Sequence, residues 1–252
     1  MKITTRASVH QLSFLPRFFP VNAYFVEEKN GLTLIDAALP YSAKGIIDAA
    51  ARMGKPIRRI LLTHAHSDHI GALDRLKSAL PDAEVLISAR DARLLAGDKS
   101  LDAGEPASPI RGGVPKPGAI RTRPDTLLAD GDRIGSLLAV ATPGHTPGSM
   151  SFLDTRTGAL IVGDAFQVKG GMAVSGKMQP LFPFPAMATW SAAEAIRSAK
   201  RLVGLKPTLL AVGHGRMIAD PIGAMNASVS EAERRLASQD KGGASHVTAN
   251  RP

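Results

Sequence analysis

The chain holds seven histidines in 252 residues, and three of them fall within six positions: His64, His66 and His69, with Asp68 beside the last. Imidazole nitrogens and carboxylate oxygens are donors that divalent cations accept, and so dense a cluster reads as metal-binding rather than as a polar loop. In an extended segment residues i and i+2 project to the same side, so His64 and His66 can share one cation. Asp68 and His69, beyond a turn, point elsewhere and suit a neighbouring second cation. At about four ligands per ion these residues cannot saturate two ions, so more donors must come from downstream. His145 in the run from Thr142 to Gly148, Asp164 after Gly163, and His214 between Gly213 and Gly215 each follow a predicted strand in a glycine-containing loop. The expectation is one site of His64, His66 and His145, a second of Asp68, His69 and His214, and Asp164 bridging them around a shared hydroxide. Zinc is the default for such donors, while iron, manganese or cobalt would also fit. The absence of cysteine excludes thiolate ligands, a cysteine nucleophile and a disulfide framework.

The elements that must position these residues are legible in outline. Ala23 to Glu27 and Leu32 to Asp36 are β-prone runs around the turn signal Lys29, Asn30, Gly31, which predicts a hairpin. Ala43 to Met53 reads as a helix capped by Ser42 and stopped by Gly54 and Pro56. Ile57 to Thr63 reads as a buried strand ending in the loop that carries His64 to His69. Apolar residues at 70, 73, 76 and 80 then give one face of a helix. Glu84 to Ile87 predicts a strand, and Ser88 a cap for a helix to about Leu95. The segment 97–124 is rich in Gly, Pro and basic residues and lacks periodicity, which marks it as a lid or mobile insertion near the site mouth. From Thr126 to Val162 short strands alternate with turn pairs, as in a β-meander. The segment 166–188 is irregular again; a helix from Thr189 to Leu202, capped by Thr189, a strand from Thr208 to Val212 and a last helix from Asn226 to Ala237 follow. Strands clustered in two halves with interspersed helices imply two packed sheets flanked by helices. Residues 1–238 are expected to form one domain, and 239–252 a disordered tail.

Taken with that order of elements, the sequence from about Ala23 to Gly215 resembles the metallo-beta-lactamase fold superfamily of dinuclear metal hydrolases. The resemblance rests on His64, His66, Asp68 and His69, followed in order by His145, Asp164 and His214. It implies an α/β (α+β) fold, a four-layer αββα sandwich with the metals in a shallow groove at one edge of the paired sheets. It also implies that Asp36, closing the run from Leu34, orients a ligand histidine. An acidic bridging ligand at Asp164 is similar to the glyoxalase II and acyl-homoserine lactonase branches. Antibiotic-degrading members usually place cysteine or serine there, which disfavours a true beta-lactamase. His66 stands where flavodiiron relatives carry glutamate, which argues against a redox diiron role. The implied activity is hydrolysis of an ester-like bond, a thioester or lactone foremost, with Asp68 orienting the nucleophile and relaying its proton. Two further readings are a phosphodiesterase or nuclease of the same superfamily, and a metal-bearing binding or sensor module with incidental hydrolysis.

Composition bounds the partners. A hydrophobic share of 44% is enough to close a core and excludes global disorder. No apolar stretch approaches the roughly 20 residues that cross a bilayer, and no export signal is recognisable, so a soluble, cytoplasmic protein is expected. The net charge of +9 could steer an anionic substrate, but only 4% of residues are aromatic and no run of five basic residues occurs, so nucleic acid is not the expected partner. The partner expected is a small ester, thioester or lactone. Phe182, Phe184, Met172, Met178, Met187 and Trp190 are candidates for an apolar acyl pocket, or else for the core. Lys169, Lys177, Arg111, Lys116, Arg121 and Arg123 could contact an anionic substrate. His10 and His246 lie outside the pattern and read as surface residues.

Overall fold

The computed structural model describes residues 1–247, and side-chain surroundings as far as Ser238. Seven strands form the first sheet, in spatial order β1 (Lys2–Arg6), β2 (Val9–Phe14), β3 (Val21–Glu28), β4 (Gly31–Ile35), β5 (Ile57–Leu61), β6 (Glu84–Ser88) and β7 (Thr126–Leu128). The second sheet contains β8 (Arg133–Ile134), β9 (Leu137–Ala141), β10 (Met150–Asp154) and β11 (Ala159–Ile161). After the small antiparallel pair β12 (Phe166–Gln167) and β13 (Ala173–Val174), it is completed by β14 (Leu209–Ala211) and β15 (Ile218–Ala219). The helices are α1 (Ala43–Arg52), α2 (Ser67–Ile70), α3 (Leu73–Ala79), α4 (Ala89–Leu95), α5 (Phe184–Met187), α6 (Ala192–Gly204) and α7 (Ile222–Val247). Among the described residues no helix is long and apolar enough to cross a membrane.

Three apolar clusters define the layers. Tyr24, Val26, Ile35 and Leu61 of the first sheet meet Leu137, Ala139, Phe152 and Ile161 of the second in an inter-sheet core. On the outer face of the first sheet, Phe25, Leu34 and Ile60 pack against Ile46 and Ala49 of α1, Leu73 and Leu76 of α3 and Leu94 of α4. On the outer face of the second, Val140, Leu160 and Leu210 pack against Ala195, Ala199 and Leu202 of α6 and Met225 and Val229 of α7. A strand buried on both faces carries apolar residues at successive positions, as most of β4 does; β2 is also buried along its whole length, with His10 and Gln11 held by hydrogen bonds to Glu27 and Gly215 O. This is the αββα sandwich.

The elements differ from expectation at several places. β1 and β2 precede the predicted hairpin. β7 leaves the meander and pairs in parallel with β6, extending the first sheet. The helix expected from residue 70 starts earlier, as α2, and breaks at Gly71 and Ala72, so Asp68 and His69 ride on a helical turn instead of a loop. Ser88 caps α4 by accepting from Asp91 N, as its position suggests. Ser42 does not cap α1; its hydroxyl accepts from Leu39 N instead. For α6 the cap is Ser191, which accepts from Glu194 N, whereas the Thr189 hydroxyl is turned inward to Pro185 O. α7 continues to Val247 where a tail was expected from residue 239, and residues 248–252 of that tail lie outside the described residues. His10 is buried, and its Nε2 meets Glu27 Oε1 at 2.7 Å, so it is not a surface residue. The His246 side chain lies outside those described.

Candidate metal centre

Topology brings the donors together. β4, β5 and β6 run in parallel, and β9, β11 and β14 point one way in the second sheet, since β10 is antiparallel to both β9 and β11 while β14 is parallel to β11. Asp36, the segment His64 to His69, His145, Asp164 and His214 follow the C-terminal ends of these strands. Two inter-sheet hydrogen bonds at that end, Met150 N to Thr63 O (2.8 Å) and Asn22 N to Gly213 O (3.0 Å), hold the edges in register.

All seven sequence-predicted residues converge there, in three overlapping groups: His64, His66 and His145; His64, His69 and Asp164; and Asp68, His69 and His214, with donor atoms in each group within 4.8 Å of one another. His66 Nδ1 and His145 Nε2 are 2.9 Å apart. Asp164 spans both halves: its Oδ2 lies 3.3 Å from His145 Nε2 and 3.3 Å from His214 Nε2, and its Oδ1 3.4 Å from His69 Nε2. Asp68 Oδ2 is 3.4 Å from His214 Nε2 and 4.0 Å from His69 Nε2.

Each imidazole is fixed by its other nitrogen, which leaves the inward one free. His69 Nδ1 donates to Asp36 Oδ2 (2.8 Å), His214 Nδ1 to Pro20 O (2.7 Å) and His66 Nε2 to Arg111 O (3.0 Å). His64 Nδ1 donates to Thr63 Oγ1 (3.0 Å), whose own proton goes to Asp36 Oδ2. His145 Nδ1 donates to Ser175 Oγ (3.0 Å), which passes its proton to Thr189 Oγ1 and on to Pro185 O. Asp36 therefore orients two histidines of the cluster, and it does so from a left-handed backbone conformation at φ 62°, the kind of local strain that functional sites hold.

The anchors other than Asp36 were not named from sequence. Hydroxyls and main-chain carbonyls are too common to stand out in a chain, and glycine at 112 and 113 is the one signal that was present. Gly112 has φ +84°, and a Cβ there would sit 2.6 Å from the His66 ring. The 97–124 segment thus approaches the site through its backbone, with Gly113 O accepting from Ser67 N. Asp91, fully buried in α4, accepts from Ala65 N (2.9 Å), Thr146 Oγ1 (2.8 Å) and Gly148 N (2.9 Å), and so ties the His64–His66 segment to the His145 loop.

Electrostatics divide the cluster. Burial drives His64 well below its ordinary pKa, lowers His66, and brings His145 to about 3, so these three present lone pairs. Burial pushes His69 and His214 the same way, but the carboxylates of Asp164 and Asp68, with Asp36 also acting on His69, overcome it, raising His69 well above normal and His214 to about 10. Burial also opposes ionisation of Asp164, yet the charges of His214, His69 and His145 hold it well below the carboxylate range. This half of the site carries protons in the role of cations, which bound metal would displace. His64 Nε2, His69 Nε2 and Asp164 Oδ1 are buried without a hydrogen-bond partner and all aim at the centre. Buried polar atoms rarely lack partners, and these three lie where metal ligation satisfies them. The residues fit a pair of cations.

The donors open onto a cavity of about 390 Å³ lined also by Phe19, Phe184, Pro185, Met187, Ala188, Ser67, Gly112 and Gly113. Of the apolar candidates, Phe184 and Met187 line it. Phe182 and Trp190 are buried, Trp190 with its Nε1 donating to Ser108 O. None of Lys169, Lys177, Arg111, Lys116, Arg121 and Arg123 places a side chain among the lining.

An αββα sandwich with a histidine and aspartate cluster at the strand ends defines a class of metal-dependent hydrolases. Residues 16–214 match the model of the metallo-beta-lactamase superfamily, and the chain belongs to that family. It is 57% identical over 234 residues to an uncharacterized protein, YobT, of Bacillus subtilis, covering 93% of this chain and 100% of that one. A probable metallo-hydrolase of the same organism, YflN, is 32% identical, with 77% of this chain and 80% of that one covered. Among solved structures, TTHA1623 in a di-iron-bound form is 28% identical with a TM-score of 0.62, covering 85% of this chain and 96% of that one.

Proposed function

We propose that the chain is a dinuclear metal hydrolase cleaving an ester-like bond, a thioester or lactone, with residues 1–238 acting as one catalytic domain. His64, His66 and His145 would hold one ion, Asp68, His69 and His214 the other, and Asp164 would lie between them. Zinc suits these nitrogen and carboxylate donors, and the di-iron relative keeps iron a measurable alternative. When bound, the two cations supply Lewis acidity, polarising a carbonyl and lowering the pKa of a water towards about 7.

The protein's own groups do the remaining work. The anchors on all five imidazoles aim the inward nitrogens; those of His64, His66 and His145 are held neutral by burial, whereas His69 and His214 give up a proton when metal binds. Asp68 is a candidate for more than ligation, because both aspartates line the cavity but its side chain is 26% exposed against 4% for Asp164. In that position it can orient the attacking water and accept its proton. As the water oxygen bonds to the carbonyl carbon and the carbon–sulfur or carbon–oxygen bond breaks, the same proton passes to the leaving group.

The observation that carries this reading is the trio of partnerless buried atoms, His64 Nε2, His69 Nε2 and Asp164 Oδ1, aimed at one point. The test is hydrolysis of matched thioesters, lactones, beta-lactams and phosphodiesters by metal-loaded protein. Turnover of the first two is expected to exceed that of the others, and cleavage confined to phosphodiesters would overturn the assignment.

A further inference from the structure

Resting on that hydrolytic reading, we infer that the substrate carries an uncharged, apolar arm lying against Phe19, Phe184 and Met187, and that the site selects against anionic esters. The chain has 31 lysines and arginines, yet among the described residues the only charged side chains lining the cavity besides the histidines are Asp68 and Asp164, both assigned to the metal centre. A carboxylate or phosphate at the end of the arm, away from the metal donors, would shed water against carbon surface with no lysine or arginine in the lining to pair, which is costly. An apolar arm would instead cover surface that the fold leaves open, since Phe184 and Met187 are 52% and 59% exposed at the cavity mouth.

The wall is built as a unit. Phe19 stacks 5.0 Å from both Phe182 and Phe184, and its ring lies 5.6 Å from that of His214, so the apolar surface abuts the donor cluster directly. Gly112 and Gly113, which also line the cavity, add no side chain to it. The cations lie elsewhere. Lys2, Arg6, Lys169 and Arg216 line a separate groove that shares no lining residue with this one. Lys177 is paired with Glu231. Arg111 turns its carbonyl to His66 and leaves its side chain exposed.

Cobalt-loaded protein titrated with two hydroxamates of equal length tests this, with binding read from the cobalt absorbance. Octanohydroxamate ends in a methyl group, and suberic monohydroxamate in a carboxylate. The neutral probe is expected to bind about tenfold tighter or more, and Met187→Lys, a change at an exposed position, to narrow or reverse that ratio. Equal or tighter binding of the carboxylate probe overturns the inference, as does a ratio unmoved by Met187→Lys. If the carboxylate is preferred and Arg111→Ala removes that preference, the Arg111 side chain reads an anionic arm and the inference is wrong. Protein that takes up no cobalt overturns the metal-centre reading beneath it; loaded protein that treats both probes alike overturns only the claim about the arm.

Discussion

At the scale of single residues, the centre depends as much on what holds each imidazole as on the imidazoles. Asp36 accepts from His69 Nδ1 and from the Thr63 hydroxyl that anchors His64, so one carboxylate orients ligands of both proposed ions. Asp36→Asn substitutes an amide that cannot accept from all of these donors on both of its atoms. It is expected to weaken metal affinity about 10–100-fold, measured by competition with a chromophoric chelator. Asp164→Ala removes the group spanning both halves and is expected to reduce the bound metal from two ions to at most one, read by elemental analysis, with activity lost in parallel. Loss of activity with two ions retained would remove Asp164 from the ligand set. All seven proposed ligands were named from the sequence, His64, His66, Asp68 and His69 because histidine is scarce and the cluster is dense, and His145, Asp164 and His214 because each follows a predicted strand in a glycine-containing loop. Pro20 O, Arg111 O, Ser175 and Thr189 were not, because a carbonyl exists at every residue and only folding decides which one faces an imidazole.

At the scale of elements, the ligand loops are joined by Asp91, whose three partners are two backbone N–H groups and a hydroxyl. Asp91→Asn would set an amide N–H₂ against at least one N–H donor. We expect it to lower metal affinity by about tenfold while the protein stays folded. Burial raises the Asp91 carboxyl from 3.8 to about 6. Its linked stability is therefore fully present below 3.8 and is lost as pH rises through about 6. Denaturation of metal-free wild type and Asp91→Asn should show the difference moving in favour of wild type by about 2 kcal/mol between neutral pH and pH 4. A pH-independent difference would contradict this. Element boundaries show where sequence reasoning stops. Hydrophobic periodicity located β5, α4 and α6, but it could not say that β7 joins the first sheet. That choice depends on pairing with β6, a contact more than thirty residues away in sequence. Ser42 stands at the N-cap position of α1 without a side-chain capping bond, and the α6 cap lies two residues beyond Thr189, at Ser191; local hydrogen bonds to Leu39 N and Pro185 O engage Ser42 and Thr189 instead.

At the scale of the whole molecule, a charge of +9 could steer an anionic substrate, whereas among the described residues the cavity wall carries no lysine or arginine. For an uncharged thioester or lactone, kcat/KM is then expected to change little between low and physiological ionic strength, since only charged ligands are steered by the field. The αββα order was readable from the two clusters of strands and the family resemblance, and its three apolar layers place the strand ends, and with them the donors, at one edge. Metal bound at that edge, where both sheets meet, should also raise the melting temperature, and a chelator should lower it. The most direct measurement is elemental analysis of tag-free purified protein alongside metal reconstitution of the stripped chain. Two transition-metal ions per chain are expected, falling in both Asp164→Ala and His66→Ala. A chain that carries no stoichiometric metal and cannot be loaded would contradict the central claim.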